Sequence, residues 1–383
     1  MKAEIGVIGL GTMGANLARN ILSKGFKTAV FNRTYLKTEE FLKNYGNKNL
    51  IGSETLEDFI NNLEKPRKMI LLIPAGSPVD EMVTHLKTLL DRGDLIIDGG
   101  NSFFEDTDRR QKDLEEDGIN YLGMGISGGE EGALHGPSLM PGGNLESYQS
   151  VKEILQAIAA KDFNGEPCVT YVGKGAAGHF VKMVHNGIEY AIMQLLAESY
   201  DLMRKINQIG NNEMAEIFKK WNEGVLNSYL LEISSRVLKE KDNQGEGFLL
   251  DKIKDQAGQK GTGNWTAIEG FKKGVALPQI SSAVQARVIS SQKKLRILLS
   301  QNYNLKSSSQ LGELVELESL EQALYATIVL AYLEGFALIK TANEENDWKI
   351  RTGEICRIWE GGCIIRSTLL AELKQIFKTN PEL

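Results

Sequence analysis

Residues 3–26, "AEIGVIGLGTMGANLARNILSKGF", read as a short apolar strand, a glycine turn and an amphipathic helix. Gly9, Gly11 and Gly14 stand at G-x-G-x-x-G spacing. In that pattern the glycines allow a tight turn, close approach of backbone to a pyrophosphate, and close packing of helix on strand. Thr12 and Met13 fall at the helix start, where N–H groups and the positive dipole end favour phosphate. Spaced glycines alone are weak evidence. A second strand, "KTAVFN" (27–32), completes a strand–turn–helix–strand unit and strengthens the reading.

The end of that second strand selects the cofactor. An NAD site places Asp or Glu there to hold the ribose hydroxyls. This chain instead has Asn32, Arg33, Thr34 and Lys37. A carboxylate repels a 2′-phosphate, whereas Arg33 can pair with one bidentately and Thr34 can add a hydroxyl. The expectation is a Rossmann-type α/β domain that binds NADP. Further apolar strands are expected in "KMILLIPAG" (68–76) and "DLIIDGGNS" (94–102), with a helix over 77–90 between them. Loops at the carboxyl edge of such a sheet hold ligands, which puts Asn101 and Ser102 at the crevice. The glycine-rich stretch 123–143, "GMGISGGEEGALHGPSLMPGG", reads as a loop. Backbone N–H groups around Ser127, Gly128 and Gly129 would there form a concavity for a substrate carboxylate.

After "YVGKGAAGHF" (171–180) the strand pattern gives way to long apolar-periodic helices. We therefore expect a dinucleotide-binding domain over 1–176 and an all-helical domain over 177–383. The helical part repeats internally. "EIFKKWNEGVL" (216–226) matches "EICRIWEGGCI" (354–364), pairing Trp221 with Trp359 and Gly224 with Gly362. "LLAESYDLM" (195–203) similarly matches "AYLEGFALI" (331–339), with a two-residue slip. The first long helix opens with "KMVHNGIEY" (182–190). At about 100° per residue, Lys182, Asn186 and Glu189 share an arc of roughly 60°, flanked by His185 and Tyr190. Such a stripe is either a solvated helix face or an acid and a base facing one cavity. The second copy favours the latter: its matching stretch, 318–326, reads "ESLEQALYA", with Glu318, Gln322 and Tyr325 where the stripe has Lys182, Asn186 and Glu189.

Composition limits the alternatives. The chain has 383 residues, 42% hydrophobic and 25% charged, with a net charge of −6. That balance argues against nucleic-acid or membrane-surface partners. Three cysteines form no C-x-x-C pair and suit a reducing cytosol. The four histidines show neither HxxxH nor HExxH spacing, so no metal site is expected. No signal region is read at the start, and no apolar run is read as membrane-spanning. The expectation is a cytoplasmic protein. Between the two helical copies, "IKDQAGQKGTGNWTAIEG" (253–270) carries Lys260 and Thr262, and "PQISSAVQARVISSQKK" (278–294) carries Arg287. Those residue types on a flexible backbone suit a phosphate group. No P-loop spacing is present, which disfavours nucleotide hydrolysis.

"GLGTMG", "NRT", "DGGNS", "SGGEEGALHGPSLMPGG", "KMVHNGIEY" and "DQAGQKGTGNWT" together resemble the 6-phosphogluconate dehydrogenase family, and the resemblance spans the chain. It implies a Rossmann-type domain followed by a duplicated all-helical domain, a homodimer, and NADP-dependent oxidative decarboxylation of 6-phosphogluconate. It further implies Lys182 as general base and Glu189 as the acid that protonates the product enediol. By the same resemblance Asn101, Ser127, Gly128, Gly129, His185 and Asn186 position the sugar acid, while Tyr190, Lys260, Thr262 and Arg287 hold its phosphate. Asn264 departs from the lysine of many relatives. Relatives also continue past "KTNPEL" (378–383) into a tail that supplies an arginine and a histidine to the other subunit, so weakened substrate binding is expected here. Two other readings are a β-hydroxyacid dehydrogenase of unphosphorylated substrates and a non-catalytic NADP-binding protein.

Overall fold

The computed structural model describes residues 2–259, 261–302 and 313–380. The chain forms two compact units. One takes the described residues of Met1–Met183, Ala342–Ile364 and Leu373–Leu383, the other those of Val184–Thr341 and Ile365–Glu372.

The first unit is built on seven strands: β1 (Ile5–Ile8), β2 (Thr28–Phe31), β3 (Leu50–Ser53), β4 (Lys68–Leu71), β5 (Leu95–Asp98), β6 (Asn120–Ser127) and β7 (Ser138–Gly143). Their order is β3-β2-β1-β4-β5-β6-β7. β1 to β6 run parallel, and β7 pairs antiparallel with β6. Strands β1, β2 and β5 are buried along their whole length. Burial on both faces explains why they read as unbroken apolar runs. The connecting helices are α1 (Thr12–Ser23), α2 (Tyr35–Tyr45), α3 (Leu56–Asn61), α4 (Ser77–Lys87), α5 (Phe104–Glu115), α6 (Gly129–His135) and α7 (Leu145–Ile158). Leu17 and Ile21 of α1 share one core layer with Leu155 and Ile158 of α7. Phe59, Val79, Leu86 and Leu114, from α3, α4 and α5, form the other. Strand order reverses between β1 and β4, so the ligand crevice opens at their carboxyl ends.

Two details differ from the sequence reading. The stretch 123–143 is a strand, a short helix and a strand, not a loop. Its glycines serve close packing against the first residues of helix α8 (Ala177–Lys205). A Cβ at Gly123 would lie 2.8 Å from His179 Nδ1, and one at Gly142 would lie 2.4 Å from Gly178 N. The sequence reading assigns no strand at β3, where only Ser53 is buried and no apolar run marks it.

Helix α8 continues into the second unit. It is followed by α9 (Asn211–Trp221), α10 (Tyr229–Lys239), α11 (Thr262–Lys272), α12 (Pro278–Ser291), α13 (Lys293–Asn302), α14 (Leu317–Asn346), α15 (Thr352–Trp359) and α16 (Leu369–Thr379). The repeat reappears as two helix triplets. α8, α9 and α10 have 29, 11 and 11 residues, and α14, α15 and α16 have 30, 8 and 11. Trp221 and Trp359 each end the middle helix. In the second unit Ser228 bridges antiparallel to Ser367, and Tyr229 N–H donates to the Arg366 carbonyl at 3.0 Å. The alignment of the tryptophans makes Ser228 equivalent to Arg366 and Tyr229 to Ser367. This contact is thus made by equivalent residues of the two copies.

Helix α14 corrects the reading that no apolar run reaches membrane-spanning length. By length and composition it is sufficient, with a mean hydropathy of 1.5 over its most apolar window. Here it serves as a core helix. Ala331, Tyr332, Phe336, Leu338 and Ile339 are buried, and the Glu334 carboxylate accepts the N–H groups of Gln279 and Ile280 at 3.0 and 3.1 Å. Those two amides lie in the first turn of α12, whose N-cap has no side-chain bond of its own.

Candidate active site

The glycine turn after β1 has three distinct glycines. Gly9 takes φ +99°, and a Cβ there would lie 2.5 Å from the Leu72 carbonyl oxygen. At Gly14 a Cβ would sit 1.8 Å from the Gly9 carbonyl oxygen, so that position is reserved for close packing. At Gly11 it would meet nothing within 4 Å. Gly11 is the N-cap of α1, makes no side-chain cap, and is followed by a first turn without acidic residues. Its open face and unfilled N–H groups are what a pyrophosphate needs. The cradle therefore fits a dinucleotide. Thr12 is exposed and Met13 is half-buried against the core.

Asn32 holds the next loop rather than projecting freely. Its Oδ1 accepts the Leu10 N–H at 3.0 Å and its Nδ2 donates to the Thr34 carbonyl at 3.1 Å, locking the glycine turn to the end of β2. Arg33, Thr34 and Lys37 flank it, with Arg33 and Lys37 exposed. Thr34 is the N-cap of α2, whose first turn also lacks acidic residues.

After β5 the turn Gly99–Ser102 carries Asn101, which is exposed, and Ser102, which is buried. Beneath it lies a polar network. Ser102 Oγ donates to Asp98 Oδ2 at 2.6 Å, as does the Tyr121 hydroxyl at 2.8 Å. Burial, then the Asp98 charge, pushes the Tyr121 phenol well above its ordinary range, so it remains a donor. His179 Nε2 lies 3.0 Å from the Asp98 carbonyl and its Nδ1 2.6 Å from Thr107 Oγ1. A carbonyl only accepts, so Nε2 carries the proton. Burial lowers the His179 pKa and keeps the ring neutral.

Lys182 is 5% exposed. Its stem crosses strand β6 at Gly125, where a Cβ would lie 2.4 Å from Lys182 Cβ and 3.0 Å from its Cγ. Ser127, on the same strand, is buried. Gly128 and Gly129 follow with φ of +121° and +62°. A Cβ on Gly128 would lie 2.5 Å from the Gly362 carbonyl oxygen, so the turn is braced from the second helical copy. That carbonyl also accepts the Ser138 N–H at 2.9 Å.

The second unit assembles the other residues of the stripe. His185, fully buried, donates through Nδ1 to Asn186 Oδ1 at 3.1 Å, and Glu189 Oε2 is 4.0 Å from the same nitrogen. Asn186 Nδ2 donates to Thr262 Oγ1 at 3.0 Å. Helices α8 and α11 approach closely because a Cβ at Gly187 would strike Thr266, and one at Gly263 would strike Tyr190. The Arg287 guanidinium stacks 3.6 Å above the Tyr190 ring and donates to the Gly258 carbonyl at 2.8 Å. Asn186, Tyr190, Thr262 and Arg287 thus form one linked group. Lys260 lies outside the described residues.

Sequence reasoning passed over Asp98, Tyr121, Arg110 and His179. The acidic residue ending β5 inside "DGGNS" was the one available signal, because an acid at a buried strand end needs donors.

Two family models match the chain: the NAD binding domain of 6-phosphogluconate dehydrogenase over residues 4–173, and the 6-phosphogluconate dehydrogenase C-terminal domain over 178–383. The decarboxylating 6-phosphogluconate dehydrogenase of Lactococcus lactis subsp. lactis is 48% identical over 384 residues, covering 100% of this chain and 81% of the relative. The NADP(+)-dependent, decarboxylating enzyme of Bacillus subtilis is 46% identical over 387 residues, covering 100% and 82%. A Plasmodium falciparum 6-phosphogluconate dehydrogenase, solved in apo form and in complexes with NADP+ and with 6-phosphogluconate, matches with a TM-score of 0.94 and 46% identity, covering 99% of this chain and 82% of that one. A 3-hydroxyisobutyrate dehydrogenase of Salmonella typhimurium, 16% identical with a TM-score of 0.58, shares the fold alone.

Proposed function

Because the chain belongs to the 6-phosphogluconate dehydrogenase family, we propose that Lys182 and Glu189 are the base and the acid of its reaction. The reaction oxidises 6-phospho-D-gluconate with NADP+ and releases D-ribulose 5-phosphate and CO2. NADP+, bound by the turn Gly9–Gly14 with Asn32, Arg33, Thr34, Lys37 and Asn101, accepts the hydride from C3. Lys182 takes the C3 hydroxyl proton as that hydride leaves, which requires a neutral amine. The resulting 3-keto acid breaks its C1–C2 bond, releasing CO2 and leaving the electron pair in an enediol. Glu189 protonates the former C2 of the acid, which becomes C1 of ribulose 5-phosphate.

Asn101, Ser127, Gly128, Gly129, His185 and Asn186 hold the sugar acid. Tyr190, Lys260, Thr262 and Arg287 hold its phosphate. The observation that carries the reading is the linkage of Tyr190, Thr262 and Arg287 in the second unit. An arginine pre-oriented by stacking on an aromatic ring beside a helix-start threonine suits a phosphate monoester and has no use for an unphosphorylated acid. The test is NADPH formation with 6-phosphogluconate against gluconate and 3-hydroxyisobutyrate. Equal molar yields of NADPH and CO2 from the phosphorylated acid alone are expected. Turnover of the unphosphorylated acids instead would overturn the assignment.

We read the division 1–176 and 177–383 as cofactor and substrate domains, and the chain as a cytoplasmic homodimer without nucleic-acid or membrane partners. Supporting a dimer, Phe271, Ile289, Leu298 and Leu330 on successive helices of the second unit are 78%, 57%, 54% and 50% exposed. Exposed apolar side chains of this size on four successive helices are material that a subunit contact would cover. Light scattering giving a monomer mass at micromolar concentration would refute the dimer.

A further inference from the structure

Asn101 occupies the exposed point of its turn, and both of its neighbours are tethered to one carboxylate. Asp98 Oδ1 accepts the Gly100 N–H at 3.0 Å, and Oδ2 accepts the Ser102 and Tyr121 hydroxyls at 2.6 and 2.8 Å. Arg110 Nη1 lies 3.6 Å from the same Oδ2, and both side chains are 1% exposed. The rest of that guanidinium reaches another loop. Nε donates to Asp80 Oδ1 at 2.8 Å and Nη2 to the Gly76 carbonyl at 3.1 Å, at the start of α4. One buried ion pair therefore joins the turns that follow β4 and β5, both at the ligand-facing edge of the sheet.

We propose that Asp98 is a positioning residue for Asn101: it grips the turn on either side of that side chain and, through Arg110, sets it against the neighbouring loop. The inference rests on the assignment of Asn101 to the substrate made above. A carboxylate only accepts, so three donors and a guanidinium can converge on it. A buried charge satisfied in this way holds its donors in place more tightly than neutral pairs would. Asparagine has the same shape but turns an NH2 group toward one set of those donors. Asp98→Asn thus changes the turn while conserving volume. Displacing a positioning group by about 1 Å costs on the order of 10²-fold in rate.

The test uses the full chain with four variants: Asp98→Asn, Ser102→Ala, Asn101→Ala, and Asp98→Asn combined with Asn101→Ala. Calorimetry measures 6-phosphogluconate affinity without cofactor. Steady-state rates separate KM from kcat, and thermal unfolding reports folding. Asp98→Asn should weaken substrate binding and raise KM by about 10- to 100-fold, with Ser102→Ala moving the same way by less. The double variant should be no worse than Asn101→Ala within about twofold, because the effect travels through Asn101. Additive losses, or unchanged affinity in both Asp98→Asn and Ser102→Ala, overturn the proposal. Unchanged affinity in Asn101→Ala removes the substrate assignment, and the inference with it. Should Asp98→Asn fail to fold, Ser102→Ala alone and combined with Asn101→Ala separates the same outcomes.

Discussion

Lys182 lies across Gly125 so closely that a methyl group on the glycine would fall 2.4 Å from the lysine Cβ. The lysine we propose as base is therefore seated by a residue that has no side chain. Gly125→Ala should move the amine without touching any ligand. A drop of about 10²-fold in kcat is expected, since displacements of an ångström cost that much, with NADP+ affinity kept. Wild-type turnover in the variant would show that Gly125 does not set the position of Lys182.

Direct substitution of the pair separates their steps. Lys182→Met should abolish NADPH formation yet bind cofactor normally. Glu189→Gln should slow turnover by about 10²–10⁴-fold, the usual contribution of a general acid. A solvent isotope effect appearing only in the glutamate variant would assign it to enediol protonation. Near-normal rates in either variant would return the stripe to an ordinary helix face.

We expect cofactor choice to depend on the exposed Arg33. Arg33→Ala removes one charge-assisted pair, worth about 1.5–3 kcal/mol or roughly 10- to 150-fold. Fluorescence titration should show that loss for NADP+ and little change for NAD+. Parallel losses for both cofactors would assign Arg33 to the shared part of the dinucleotide.

The glycine turn should fail in two different ways. Gly14→Ala forces a methyl group against the Gly9 carbonyl, and should destabilise the fold by about 1–3 kcal/mol or more. Gly11→Ala points into open space, so stability should fall by no more than about 1 kcal/mol. Its methyl group occupies the phosphate approach, and NADP+ affinity should fall at least about tenfold. Thermal scans with and without NADP+ distinguish the two outcomes.

Cys168, Cys356 and Cys363 are all buried. Burial pushes Cys168 up to about 12 and Cys356 higher still. The thiolate is the reactive form, so at about pH 8 a disulfide reagent should modify neither until the protein unfolds. Rapid native labelling of Cys168 would contradict its burial.

The sequence carried the cofactor turn well, because each of Gly9, Gly11 and Gly14 does a local job and spacing encodes local jobs. It carried the stretch 123–143 poorly. Gly123, Gly125 and Gly142 make room for His179, Lys182 and Gly178 of α8, and nothing nearby in the chain announces such neighbours. Asp98 was hidden for the same reason: its partners Tyr121 and Arg110 come from β6 and α5. In α14 the apolar composition was visible, but only packing distinguishes a core helix from a spanning one. Periodicity singled out Lys182, Asn186 and Glu189 in α8, with the second copy as internal control.

The joining of Ser228–Tyr229 to Arg366–Ser367 through equivalent residues has a consequence for how this chain accepts change. Two copies built alike differ along their long helices. The first carries the stripe Lys182, Asn186 and Glu189 that we propose for the reaction. The second retains the scaffold and lends Gly362 as a brace for the turn at Gly128. Random mutagenesis should therefore wear the two halves unevenly, with the exposed positions in the first turns of α14 accepting exchanges that the matching turns of α8 do not.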